Sequence, residues 1–337
     1  MNSSPRLVVS LLIGLTVPWT ALHVIGCAPA PKPVGRAAAV DSYVQGVLAY
    51  QAGNNDKAIA DLQAAVRQHA DLVMAHSMLG DIYSTKKDYN DALVQYEITT
   101  RLDPFSYKNH YNEGLMEQFL GRVKEAVDAY LRALKLNPSD FLTNQNLGAA
   151  YLQLDDYDNA IVYCTKATEL NDKSGPAWSN LATAYEAKGD WKTAEADWRK
   201  ALEADSASVE VAVSLSKNLK HQQRFPEART VLNEVVRASD TAPHRKLLGD
   251  ALFLEKKYAD AIQEYAKALE IDPKYIPALN ETGWVLITEY NQSLGLDEGK
   301  RTAALEAWKK SIALNPNQVQ IRNLMKTYAE KMAEPAK

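Results

Sequence analysis

The chain has 337 residues, 46% hydrophobic and 24% charged, with 38 basic side chains against 42 acidic ones and a formal net charge of −4. That balance excludes the basic footprint of a nucleic-acid binder, and the length is enough to bury a large core. Only two cysteines are present, Cys27 and Cys164, and if Cys27 is acylated Cys164 has no partner within the chain, so no disulfide framework is expected.

The first 26 residues are a class apart. Arg6 gives a short positive start, Leu7 to Ile25 is nearly continuous apolar sequence, and Val24-Ile25-Gly26-Cys27 closes it. A basic start, an apolar stretch and a small residue before the cut are the pattern of a secretory signal. The closing tetrapeptide looks like a bacterial lipobox, in which Cys27 is acylated through its sulfur and becomes the new N-terminus. An uncleaved membrane anchor stays open as the alternative, because the apolar run is almost long enough to span a bilayer. The lipobox resemblance implies acyl chains (palmitate among them) that hold the protein to a membrane, where one chain alone binds marginally. Ala28, after the cysteine, resembles an outer-membrane address, with the protein facing the periplasm. Residues 27–38, with Pro29, Pro31 and Pro33, are expected to form a flexible tether.

From residue 39 the chain is periodic. Ala58, Ala92, Ala126, Ala160, Ala194, Ala228, Ala261 and Ala304 keep a beat of 34 residues, broken only by one residue short and nine long at the last two steps. A period in this range marks a solenoid of stacked helical hairpins. Between Gly175 and Ser208, Trp178, Leu181, Ala182 and Tyr185 form the apolar stripe of a first helix. Gly189-Asp190 makes the turn, and Ala194, Trp198 and Ala201 stripe a second helix. The place of Ala182 is held elsewhere by Gly46, Gly80, Gly114, Gly148, Ser216, Gly249 and Gly283. Glycine inside a helix costs about 1 kcal/mol against alanine, so its recurrence at one register predicts close helix crossings. Leu62, Tyr96, Tyr130, Trp198, Leu232, Tyr265 and Trp308 share one register and fill the remaining space. Pro104, Pro138, Pro273 and Pro316 end second helices.

This pattern resembles the tetratricopeptide repeat (TPR) family, on Trp178-Leu181-Ala182-Tyr185-Ala194-Trp198-Ala201 with Ser206 in place of the final proline, and on Leu79-Gly80-Tyr83-Ala92-Tyr96-Thr99-Pro104. It covers residues 39–318 as eight repeats. Glu113 and Glu117 stand at places that are usually apolar, and Cys164 replaces an aromatic; the register predicts a buried thiol. The resemblance implies an all-α fold: a TPR α-solenoid, a right-handed superhelix of about eight helix-turn-helix repeats plus a capping helix. Its first helices line a concave groove that binds protein or peptide partners.

No catalytic constellation is present: the chain lacks a Gly-rich phosphate loop, a His-Glu-x-x-His and paired-cysteine metal spacing. His76 and His110 lie one period apart, but two ligands do not make a metal site, and both are expected to pack or cap. The chain is read as a non-enzyme that needs no cofactor or metal. Most acidic residues are expected on solvated faces, as with Glu195 beside Arg199 at i,i+4.

On the first helices, Asn112, Asn146 and Asn180 recur in three consecutive repeats. A primary amide donates and accepts, so such a ladder could hold an extended peptide backbone; it resembles the asparagine ladder of O-linked N-acetylglucosamine transferases. The amides also stand where the family simply favours asparagine, and both readings stay open. Tyr43, Tyr50, Tyr111 and Phe119 fall on or near the same face, either as partner anchors or as packing between first helices. The carboxylate-clamp mode of chaperone-binding TPRs has no support, since Tyr43 and Val47 occupy its places in the first repeat.

The nine extra residues of the last repeat fall near 288–302 and are expected to emerge as a loop, either idle or on the binding face. Residues 319–337 follow as a capping helix and tail: Ile321, Leu324, Met325, Tyr328 and Met332 recur at helical spacing, and Lys326 blocks a further hairpin. The whole resembles TPR lipoproteins of type IV pilus and outer-membrane assembly. That implies a monomeric envelope scaffold, lipid-anchored at Cys27, with protein or peptide partners. Self-association as a structural envelope protein without a peptide groove is the alternative.

Overall fold

The computed structural model describes residues 34–330, and among them it holds seventeen helices and no strand. The signal segment and Cys27 lie outside the described residues. The helices fall into two compact units, one ending at Leu72 and one beginning at Val73.

The first unit is a single hairpin of α1 (Val34–Gln51) and α2 (Asn55–Gln68). Gly46 makes the crossing possible: a Cβ there would come within 2.7 Å of Leu62 Cγ. Ala58, Leu62 and Ala65 of α2 are fully buried. The turn is set by Gly53 at φ +76° and by Asn54, whose side chain accepts from the Lys57 amide to cap α2. Residues 34–38 were expected in the tether and instead form the start of α1. The cause is local: Ala37, Ala38 and Ala39 are strong helix formers, and Ala39 is fully buried.

The second unit holds seven hairpins and a last helix. The hairpins are α3 (Val73–Thr85) with α4 (Tyr89–Leu102), α5 (Tyr107–Phe119) with α6 (Val123–Leu136), and α7 (Phe141–Gln153) with α8 (Tyr157–Leu170). There follow α9 (Gly175–Ala187) with α10 (Trp191–Ala204), α11 (Val209–His221) with α12 (Phe225–Ala238), and α13 (Ala242–Leu254) with α14 (Tyr258–Ile271). The last are α15 (Ile276–Gln292) with α16 (Glu298–Leu314), then α17 (Val319–Glu330). Each helix packs on its neighbours in sequence, and α5, α7, α9, α13 and α15 also touch first helices one hairpin away.

Each hairpin crosses where the sequence places its small residue. A Cβ on Gly80 would lie 2.7 Å from the Tyr96 ring, and one on Gly114 2.8 Å from Tyr130. The large residue opposite runs through the hairpin, and its polar tip finds a partner on the first helix. Tyr96 donates to Asp81 at 2.7 Å, Tyr130 to Gln118 at 2.9 Å, Trp198 Nε1 to Glu186 at 2.9 Å and Tyr265 to Asp250 at 3.1 Å. Burying such a ring without that partner would cost roughly 1–3 kcal/mol. Cys164 is fully buried against Gly148, and burial pushes its thiol up to about 12.

The inserted residues of the last hairpin do not form a long loop. They lengthen α15 and α16 to 17 residues each, against the 13 and 14 of α13 and α14, and leave only residues 293–297 as the turn. Tyr290 and Arg301, both buried, seal the added turns by stacking at 5.8 Å. Residues Leu294 and Leu296 are 89% and 83% exposed at the tip.

Candidate partner-binding face

From α5 to α15 the first helices of successive hairpins touch side by side, so their outward side chains form one continuous face, with α3 in the same register of the repeat. Asn146 Nδ2 of α7 donates to the Tyr111 hydroxyl of α5 at 3.2 Å. Asn218 Nδ2 of α11 donates to Glu186 of α9 at 2.8 Å. Lys220 of α11 approaches Asp250 of α13 at 3.9 Å, and Lys246 of α13 approaches Glu281 of α15 at 3.8 Å.

The three amides of the expected ladder all lie on this face, yet they are not equivalent. Asn112 and Asn180 are half-buried and make no side-chain hydrogen bond among the described residues. Asn146 spends a donor on Tyr111. Tyr111 is itself half-buried, with its ring 6.0 Å from that of Tyr130, and burial raises its hydroxyl above the ordinary range. It therefore packs between helices, one of the two readings left open above. Phe119 is 54% exposed and stacks on Tyr89 of the preceding hairpin at 4.8 Å. Tyr43 and Tyr50 are half-buried on α1, in the other unit.

Two exposed apolar side chains escaped the sequence reading. Met74 and Leu142, 56% and 48% exposed, stand in the first turns of α3 and α7, with Lys108 of α5 midway between them. Their 68-residue separation, two periods, was a visible signal. An apolar side chain at a solvent position is ordinary alone and informative when repeated in register.

Several polar side chains serve the turns rather than a ligand. His76 Nδ1 meets Gln95 at 2.8 Å, and His110 Nε2 meets the Pro104 carbonyl at 3.0 Å while Arg132 donates to its Nδ1 at 3.3 Å. Glu113 pairs with that same Arg132 at 2.8 Å, and Glu117 reaches Arg122 at 3.4 Å. Thus the two acids at usually apolar places are matched by neighbouring arginines. Glu195 departs from the expected solvated face. It is 7% exposed and binds Arg199 at 2.9 Å, Gln222 at 2.9 Å and Arg224. The turn of the next hairpin closes over it, and these partners hold its carboxyl below the ordinary range against the opposing effect of burial.

Profiles of the family described as TPR repeat match residues 120–155, and others described as tetratricopeptide repeat match residues 43–107, 145–174, 163–196 and 221–276. Human "DnaJ homolog subfamily C member 7" is 25% identical over 259 residues, 71% of this chain and 52% of the relative. "Hsp70-Hsp90 organizing protein 3" of Arabidopsis thaliana is 24% identical over 196 residues, 57% of this chain and 34% of the relative. The chain thus spans about half or less of the length of these curated relatives. Among solved structures, that of Pseudomonas aeruginosa pilF superposes with a TM-score of 0.52 at 17% identity, over 61% of this chain and 94% of that one, a likeness of fold alone. Small residues at the helix crossings, aromatic rings through most hairpins and matches spread from residue 43 to residue 276 agree. The chain belongs to the tetratricopeptide repeat family, an α-solenoid family of scaffolds that bind protein partners.

Proposed function

We propose that the chain is a membrane-tethered scaffold that docks a protein or peptide of the bacterial envelope on the first-helix face, in assembly of pilus, secretion or outer-membrane machinery. The observation that carries the docking is the composition of that face. Half-buried amides Asn112 and Asn180, with no internal partner among the described residues, lie on the same face as exposed Met74, Phe119 and Leu142. Adaptable hydrogen-bonding groups among apolar anchors suit an extended or helical peptide. The tether rests on the Cys27 lipobox in the sequence, with the protein read as a monomer on the outer membrane facing the periplasm.

Cross-linking in intact cells, followed by mass spectrometry, tests both parts. Wild type is expected in the outer-membrane fraction with radiolabelled palmitate on Cys27, cross-linked to an envelope protein. C27S is expected to lose the label and the membrane. The combined change of Asn112, Asn146 and Asn180 to Ala is expected to keep the label and lose most of the cross-link. Undiminished cross-linking by that variant sinks the amide ladder, and a label that survives C27S sinks the lipid anchor.

A further inference from the structure

Lys217, Lys220 and His221 stand at i, i+3 and i+4 on α11, one side of one helix. They line an open depression of about 380 Å3. The depression lies on the first-helix face, because Lys220 reaches Asp250 of α13 at 3.9 Å and Asn218 of the same helix reaches Glu186 of α9.

The nearby charges are equal in number, Lys217, Lys220 and Lys246 against Glu186, Asp250 and Glu281, but the acids are committed to other partners. Asp250 already accepts from Lys246 at 2.9 Å and from the Tyr265 hydroxyl at 3.1 Å. Glu281 lies 3.8 Å from the same Lys246. Glu186 is occupied by Trp198 Nε1 and Asn218. Lys220, its side chain only 18% exposed, is left with a shared carboxylate at the limit of ion-pair distance. Lys217 is exposed and has no ion pair among the described residues. Burial, with Lys246 and Lys217 nearby, drives the Lys220 ammonium below its ordinary range despite the pull of Asp250. The His221 ring lies flat on Trp191 at 4.1 Å, which fixes the plane of the imidazole. A half-buried ammonium, a free ammonium and a stacked imidazole line one depression with no carboxylate in its wall, a surface that favours an added anion.

We propose that Lys217, Lys220 and His221 form a receptor for aspartate or glutamate side chains of the docked partner. The inference rests on the reading of the first-helix face as a docking surface and names the chemistry of one stretch of it. Leu254, at the end of α13 as His221 is at the end of α11, is 40% exposed. The partner segment therefore combines acidic with apolar side chains. Charge steering of this kind raises association rates and selects against basic partners.

The test uses the full chain and three short fluorescent peptides: one alternating Leu and Glu with a free C-terminus, its C-terminal amide, and its Leu/Gln counterpart. The Leu/Glu peptide is expected to bind wild type about tenfold more tightly than the Leu/Gln peptide, and less tightly as salt rises. Amidation is expected to change little. The double variant K217A/H221A removes two exposed side chains, so its helical circular dichroism is expected to match wild type, while it binds both peptides with the weaker affinity. An equal affinity of wild type for the Glu and Gln peptides overturns the receptor while leaving the docking face standing. Loss of binding on amidation overturns the side-chain assignment in favour of a terminal carboxylate. Failure of all three peptides to bind also overturns the receptor, and the docking reading is then judged by the cross-linking experiment on its own.

Discussion

Asp197 is the residue whose chemistry is least at rest. It sits on α10 with 5% of its surface exposed, and its Oδ2 has no hydrogen-bond partner. Burial pushes its carboxyl up to about 6; Lys200 opposes the rise and Asp190 adds to it. The folded state thus holds the proton more tightly than the unfolded chain, where aspartate titrates near 3.9. Stability contributed by the protonated acid is present below that unfolded value and is lost as pH rises through about 6. D197N is therefore expected to stabilise the protein at pH 7.5 by about 2 kcal/mol, from roughly two units at 1.36 kcal/mol each less the amide's own unmade hydrogen bonds. Near pH 4 the gain should vanish. Urea melts at the two pH values check this, and a variant with no gain at pH 7.5 refutes the charged, unpaired Asp197. The register made the hairpin crossings and the buried Cys164 legible in the sequence. It could not reveal Asp197, because burial of one acid depends on how neighbouring helices close over it. The same holds for Glu195, whose partners Gln222 and Arg224 lie 27 and 29 residues away.

At the scale of elements, the last hairpin and α17 show what periodicity can and cannot fix. The nine extra residues were visible as a break in the beat, but their fate was not. Residues added on both sides of a turn continue two existing helices at the gain of a hydrogen bond each, whereas nucleating new structure in a loop is costly. The helix after Pro316 was legible from its spacing of Ile321, Leu324, Met325 and Tyr328. These side chains pack on Ile287, Tyr290 and Trp308, and the Tyr328 hydroxyl accepts from Asn291 at 2.9 Å. The opposite side of α17 shows Gln320, Arg322, Asn323, Lys326 and Thr327 to solvent, as a terminal cap requires. A chain stopped after Asn315 would bare the apolar side of α15 and α16. It is expected to melt several degrees lower, to bind a hydrophobic dye, and to scatter light increasingly with concentration. If the truncated chain stays monomeric and melts with the full one, α17 is not a cap. Concentration-dependent association by the intact chain would instead favour the self-associating alternative.

For the second unit as a whole, the pattern of contact decides how stability is distributed. Every helix there packs chiefly on those next to it in sequence, with smaller contacts between helices one hairpin apart. Stability in such a stack is a sum of hairpin terms and nearest-neighbour interfaces, so damage should stay local. Gly148 offers the sharpest test, because a Cβ at that position would run into Cys164 Sγ across the α7–α8 crossing. Overpacking of a closed core costs about 1–3 kcal/mol, so in G148V the amides of α7 and α8 should lose protection against hydrogen exchange by roughly ten- to a hundredfold. The adjoining α6 and α9 should lose less. The network of Lys220, Lys246, Asp250 and Glu281, which begins two hairpins further on, should exchange as in wild type. Uniform loss of protection across α3 to α17 would instead make the unit a single cooperative block. Local loss would let one stretch of the first-helix face be altered while another is held constant, and changes at Asn112 or at Lys217 could then be read as changes in binding rather than in folding.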